Sequence, residues 1–255
     1  MLDFVMSFLL IPFSIIILCL WGISIIIKQV SFIDGFWSLG FVLLTAFTYA
    51  LIPSPNMVHT TLAIMVGLWG LRLSYHLTSR WLHSGEDPRY ITMMGGREGL
   101  AYHIHSLWKV FGLQGLLIVL ISLPIIKTLL DTDASFSIVS YVGIALFLVG
   151  FYFEVVGDAQ LKAFKADPSN KGKVLNTGLW RYTRHPNYFG DAAIWWGFWA
   201  ISANLTMIYA PIIMTFLLMK VSGVPLLEEA LKTSRPGYKD YIKQTNAFIP
   251  WKPKG

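Results

Sequence analysis

Ser7-Phe8-Leu9-Leu10-Ile11-Pro12-Phe13-Ser14-Ile15-Ile16-Ile17-Leu18-Cys19-Leu20-Trp21-Gly22-Ile23-Ser24-Ile25-Ile26-Ile27 runs for 21 residues without a charge. A bilayer core is crossed by about 20 mostly apolar residues in a helix, so this stretch predicts a membrane span. Asp3 rather than a basic cluster precedes it, it is too long for a signal-peptide core, and no small-residue cleavage site follows. It reads as a retained first span.

Outward from it the same pattern recurs near residues 36–53, 58–79, 110–130, 136–157, 188–203 and 205–222. A short stretch from Ser202 to Leu205 separates the last two, which form either a tight hairpin or one broken element. Seven spans is the reading, and six the alternative. With no repeat, low-complexity tract or linker, the chain is expected to be an all-α polytopic membrane protein, a single membrane-embedded domain over residues 1–255.

Composition agrees. Of 255 residues, 55% are hydrophobic and 13% charged, and the mean hydropathy of +0.58 lies outside the usual range of soluble domains. A net charge of +6 needs no nucleic-acid partner, because Lys and Arg collect in cytoplasmic loops. The one cysteine, Cys19, excludes an internal disulfide and a cysteine metal cluster. His103 and His105 lack metal-ligand spacing with an acid, His59 and His83 read as interfacial, and Gly95-Gly96 is too short for a nucleotide fingerprint.

Most basic residues fall in three stretches, 80–109, 158–187 and the tail from Lys220. Seven spans put all three on one side, which the positive-inside rule makes cytoplasmic. The protein is therefore expected in the cell (inner) membrane, with its N-terminus outside and its C-terminus in the cytoplasm.

Ionisable residues inside spans are costly and usually face a cavity or a partner. Asp34, Ser38, Phe41, Thr45 and Thr48 share one face of span two at helical spacing; Trp69, Arg72, Tyr75, His76 and Ser79 do so in span three. Glu154, Asp158 and Lys162 share a face of span five. The plainer reading is that such stripes only hold helices together, but five ionisable residues gathered near the cytoplasmic ends favour a site.

The densest segment is Gly178-Leu179-Trp180-Arg181-Tyr182-Thr183-Arg184-His185-Pro186-Asn187-Tyr188-Phe189-Gly190-Asp191. Pro186 suits a first helical turn, whose backbone N–H groups are open to an anion. Arg181, Arg184 and His185 add positive charge there. Asp191 follows Asn187 by one turn on the same face. Juxtamembrane anchoring explains Arg, Tyr and Trp, but not His-Pro-Asn-Tyr beside an intramembrane acid.

With Trp195, Trp196 and Gly197, this segment resembles the cofactor motif of the steroid 5-alpha-reductase superfamily, Gly-Leu-x-x-Tyr-x-Arg-His-Pro-Asn-Tyr-x-Gly-Glu. The chain is most similar to that superfamily's bacterial branch, domain of unknown function 1295. The likeness extends through Asp158 to Leu161, Ser222 to Leu227 and Tyr241 to Trp251, and less strongly through Gly85 to Tyr90. The resemblance implies a seven-helix fold that binds NADPH from the cytoplasm, over a region of about 154–250, and reduces the carbon–carbon double bond of a lipid enone drawn from the bilayer.

It further implies that Asp158 helps hold the cofactor, that Lys165 and Lys173 stand near its phosphates, and that Asn187 and Asp191 lie beside its nicotinamide end; Arg181, Arg184 and His185, by their charge, are expected at the phosphates, and Tyr188 is expected among the cofactor-binding residues. Asp191 is one methylene shorter than the motif's Glu, and span two carries Asp34-Gly35-Phe36-Trp37 in place of a Gln-Glu acid. Enone reduction also needs an acid to stabilise the developing enolate. A neutral Asp34 carboxyl, with Tyr75 on the facing stripe, is the expected donor pair.

Two other readings remain. An S-adenosylmethionine-dependent methyltransferase of the isoprenylcysteine type shares the Arg-His-Pro-x-Tyr segment and a later acid pair, here Glu228-Glu229. A non-catalytic membrane scaffold or small carrier would bind no nucleotide.

Overall fold

The computed structural model describes residues 2–221 and 223–254; Ser222, which opens one of the resembling stretches, lies outside them. The helices are α1 (Leu2–Ile27), α2 (Ile33–Ala50), α3 (Met57–Ser84), α4 (Pro88–Met94), α5 (Gly99–Ser106), α6 (Leu113–Leu129), α7 (Ile138–Ala166), α8 (Pro186–Ser202), α9 (Tyr209–Phe216), α10 (Val224–Ser234) and α11 (Tyr238–Gln244). A π-helical turn, Leu107–Gly112, joins α5 to α6, and another, Leu217–Val221, extends α9. No strand occurs among the described residues.

The protein is all-helical and polytopic. Five helices, Phe8–Ile27, Ile33–Ala50, Met57–Ser84, Gly99–Leu129 and Ile138–Ala166, are long and apolar enough to cross a membrane. The last two apolar windows are helical but shorter. They correspond to Pro186–Ser202, of 17 residues, and Leu205–Val221, so the seven-span reading rests on these two at the lower limit of crossing length.

Local chemistry sets the helix ends. Asn56 caps α3 by accepting from the backbone of Val58 and His59, and the His59 ring returns a bond to the Asn56 N–H. His59 is thus a buried capping residue, its Nε2 also 2.9 Å from the Asp131 carbonyl. Ser137 and Ser140 form the matching reciprocal cap on α7. Pro88 and Pro186 open α4 and α8, where a missing N–H costs nothing.

The chain divides into two compact units, one ending at Ser135 and the other starting at Phe136. In the first, α2 packs on α3 and α6. Gly70 lets α3 close on the Ser38 backbone and Val42, and Gly40 admits Ile118 of α6. Ser38, Thr45 and Thr48 are all buried in α2, so its polar stripe turns inward.

In the second unit α7 and α8 form the main pair. Gly143 meets Gly197, Gly150 meets Gly190, and Gly157 meets Pro186 and Asn187. Rising numbers on one helix meet falling numbers on the other, so the pair is antiparallel. Each contact brings backbone to within reach of backbone, the packing that small residues allow between membrane helices.

Candidate functional site

Antiparallel pairing places the first turn of α8 beside the last turns of α7. Asn187 Nδ2 donates to Asp158 Oδ1 at 3.0 Å, an approach that depends on Gly157, whose added Cβ would stand 3.2 Å from the Asn187 nitrogen. One turn deeper, Glu154 on α7 and Asp191 on α8 are both buried. The α7–α8 pair therefore carries three acids and an amide within about two turns on either helix.

The loop before α8 folds back on α7. Trp180 Nε1 donates to the Gly157 carbonyl at 3.1 Å, the Leu179 N–H donates to Gln160 Oε1 at 3.0 Å, and the Tyr241 hydroxyl donates to the Trp180 carbonyl. Gly178 has φ +59, a conformation that favours glycine, and a Cβ there would press on the Gln160 amide that accepts from Leu179. Lys165, Lys173 and Arg181 are exposed, as are Lys162 and Lys171. Lys173, Asn176, Tyr241 and Gln244 line a shallow hollow of about 430 Å³.

Arg184 and His185 are placed otherwise than the sequence suggests. Both are buried. Arg184 Nε donates to Glu228 Oε1 at 2.8 Å, its Nη1 to the carbonyls of Thr245 and Ile242, and its backbone N–H to the Asn246 carbonyl. His185 Nε2 lies 3.1 Å from the same Glu228 oxygen, and its ring stacks on Tyr188 with centroids 5.5 Å apart. Burial alone would raise the Glu228 carboxyl; bonds from His185 and Arg184, with their charges, outweigh it and hold the group at about 2. Arg184 thus grips the chain's own tail instead of facing an outside anion.

In the first unit, Asp34 in the first turn of α2 is ringed by the segment after α3. Arg89 Nη2 donates to Asp34 Oδ2 at 3.0 Å, and the Tyr90 hydroxyl donates to Oδ1. Gln114 Nε2 donates to the Tyr90 oxygen at 2.9 Å. Glu86 accepts from the Val30 and Ser31 N–H groups, sealing the start of α2. Both Asp34 oxygens act as acceptors, whereas the sequence reading made this group a donor. Tyr75 lies on the outer side of α3, 78% exposed, so the phenol brought to Asp34 is Tyr90.

Two electrostatic consequences follow. The Tyr90 hydroxyl is held well above its ordinary value, first by burial and then by the acidic Asp34 beside it. Burial would raise Asp87, but hydrogen bonds and charge from Arg89 outweigh it and lower the carboxyl. Sequence reasoning passed over Arg89, Gln114 and the role of Glu228; the available signals were the Gly85–Tyr90 likeness and the Glu228-Glu229 pair.

Lys165 in the last turn of α7, and Lys173 and Arg181 in the segment before α8, are exposed cations of the kind that meet a polyanion, and Asp158, Asn187 and Asp191 supply acceptors and an amide that could meet hydroxyl and carboxamide groups. Arg184, beside this set, is held by Glu228 and the Thr245 carbonyl. Among the described residues no cluster of His, Cys, Asp or Glu is arranged to hold a metal ion.

A family model described as protein of unknown function (DUF1295) matches residues 20–245. An uncharacterized protein of Schizosaccharomyces pombe is 26% identical over 264 residues, covering 91% of this chain and 75% of that protein. A probable O-methyltransferase of Ustilaginoidea virens is 38% identical over 89 residues, only 34% of this chain and 31% of that protein. No solved structure matches the chain.

Proposed function

The chain belongs to the family described as protein of unknown function (DUF1295), and from that premise we propose a membrane-bound oxidoreductase that reduces the carbon–carbon double bond of a steroid-like or isoprenoid-like lipid enone with NADPH. The observation that carries this reading is the Asp158–Asn187 bridge beside buried Asp191. Acceptors and an amide fixed at one end of a basic loop suit a ligand with phosphates at one end and a carboxamide at the other. The superfamily likeness of Gly178 to Asp191 supports the same cofactor.

NADPH supplies two electrons and one of the two hydrogens that the double bond takes up. Lys165, Lys173 and Arg181 would hold its phosphates, and Asp158, Asn187 and Asp191 its other end. The remaining requirement is an acid that protonates the developing enolate.

A second reading, methyl transfer from S-adenosylmethionine, is favoured by the partial match to a probable O-methyltransferase and by Glu228 bound to the Arg184-His185 pair of the shared segment. Supplying the purified protein with lipid enones and NADPH separates the two. The reductase reading expects substrate-dependent loss of NADPH and a saturated product. Transfer of labelled methyl from S-adenosylmethionine, with no NADPH consumed, selects the second reading.

A further inference from the structure

The tail of the second unit holds large apolar side chains away from the core. Ile249 is 67% exposed and Trp251 70%, whereas Phe248 between them and the body of the unit is buried. Phe248 thus turns toward the body of the unit, while Ile249 and Trp251 turn away from it. Hydrogen bonds hold the segment in place: the Thr183 hydroxyl donates to the Phe248 carbonyl at 2.8 Å, the Trp251 N–H to the Tyr182 carbonyl at 3.0 Å, and the Lys254 N–H to the Gln244 carbonyl at 2.8 Å. Ile249 and Trp251 are thus fixed outward.

Charge surrounds them with one sign. Arg181, Lys252 and Lys254 are exposed, none of them has an ion pair among the described residues, and no acid occurs from Thr245 to Lys254. The patch also has a defined depth. Tyr182, 44% exposed and bonded to Trp251, precedes Pro186 by four residues, and Pro186 opens the apolar helix α8.

We infer that Tyr182, Ile249 and Trp251, with Lys252 and Lys254, form an interfacial anchor that seats this edge of the second unit in the headgroup layer of an anionic leaflet. Trp and Tyr settle at the headgroup level because one end of each ring system is apolar and the other polar. Lys and Arg beside them are drawn to anionic lipid. A water-facing surface gives no reason for an aromatic and an aliphatic side chain pinned outward between cations, and a neutral protein groove gives none for the cations. The anchor is independent of the reaction catalysed.

The test uses the full chain with Cys19→Ser, since Cys19 is exposed, and an environment-sensitive fluorophore on Trp251→Cys. The protein is reconstituted in phosphatidylcholine vesicles with or without phosphatidylglycerol, some carrying a spin-labelled lipid. A label on Lys243→Cys, an exposed position, serves as the water reference, and thermal unfolding verifies that each variant is folded. The anchor predicts blue-shifted, lipid-quenched emission from position 251, stronger with phosphatidylglycerol, and loss of that increment in Lys252→Gln/Lys254→Gln. Water-like, unquenched emission in both vesicles overturns it. So does a blue shift without lipid quenching, which means cover by protein, or a shift indifferent to phosphatidylglycerol and to the lysine changes.

Discussion

The Asn187 amide donates to Asp158 Oδ1 across 3.0 Å, tying the first turn of α8 to α7. The bond works only because the helices touch through glycines on either side of it. A Cβ on Gly190 would stand 2.5 Å from the Gly150 carbonyl oxygen and 2.5 Å from the Glu154 nitrogen. Backbone cannot yield as a flexible side chain does, so the helices must part.

Gly190→Ala is accordingly expected to destabilise the protein by about 1 to 3 kcal/mol, the usual range for overpacking. Gly67→Ala, where an added Cβ meets nothing within 4 Å, is expected to be neutral or slightly stabilising. Thermal unfolding in detergent compares the two, and equal midpoints would show that the α7–α8 contact is looser than described.

Glu228 joins Arg184 and His185 through one oxygen. Removing one partner of a buried ion pair leaves an uncompensated charge and costs roughly 3 to 5 kcal/mol, so Glu228→Ala should exceed the Gly190 effect, with Glu228→Gln between them. The pH dependence has a definite sign. The folded carboxyl sits at about 2 against an ordinary 4.5, so its stabilisation is complete above 4.5 and is lost as pH falls toward 2. The Glu228→Gln variant should lack that acid-side loss, which unfolding measured across this window will show.

Tyr90→Phe removes the hydrogen donated to Asp34 and leaves a buried acceptor short of a partner, at a cost of about 1 to 3 kcal/mol. Tyr75→Phe, on an exposed ring, should stay within about 0.5 kcal/mol of the parent. Equal loss of stability in both variants would contradict the placement of Tyr90 against Asp34.

Helix positions are legible in this sequence because apolar length is a local property: the window 58–79 lies inside α3, and the window 136–157 starts two residues before α7 and otherwise lies inside it. The fourth window falls short because the helical stretch begins at Gly99, where Tyr102, His103 and His105 interrupt the apolar run that marks a span. The proline start of α8 and the inward stripe of α2 were equally readable. Side-chain partners were not. Glu228 lies 44 residues from Arg184, and Tyr90 lies 56 from Asp34. Charge and spacing cannot say whether a guanidinium meets a ligand or its own tail; only the fold of the intervening chain decides that.

Orientation is open to labelling. The loops 80–109 and 158–187 carry most of the basic residues between spans, and moving them outward is disfavoured. Cysteines introduced from Lys171 to Lys173, in a Cys19→Ser background, should react with an impermeant reagent only after the membrane is opened. Reaction from outside intact cells would reverse the orientation.

Calorimetry on the purified protein, with NADPH, NADH and S-adenosylmethionine in turn, tests the central claim most directly. If exposed Lys165, Lys173 and Arg181 meet the phosphates, NADPH binds more tightly than NADH, and the difference shrinks as salt rises. One added charge-assisted contact is worth about 1.5 to 3 kcal/mol, or roughly ten- to a hundredfold in affinity. The account predicts that preference, its weakening in Lys173→Ala, and reduced NADPH affinity in Asn187→Ala. Folded protein that binds S-adenosylmethionine and neither nicotinamide nucleotide would contradict the account in favour of the methyltransferase, and binding of none of the three would contradict an enzyme of either kind.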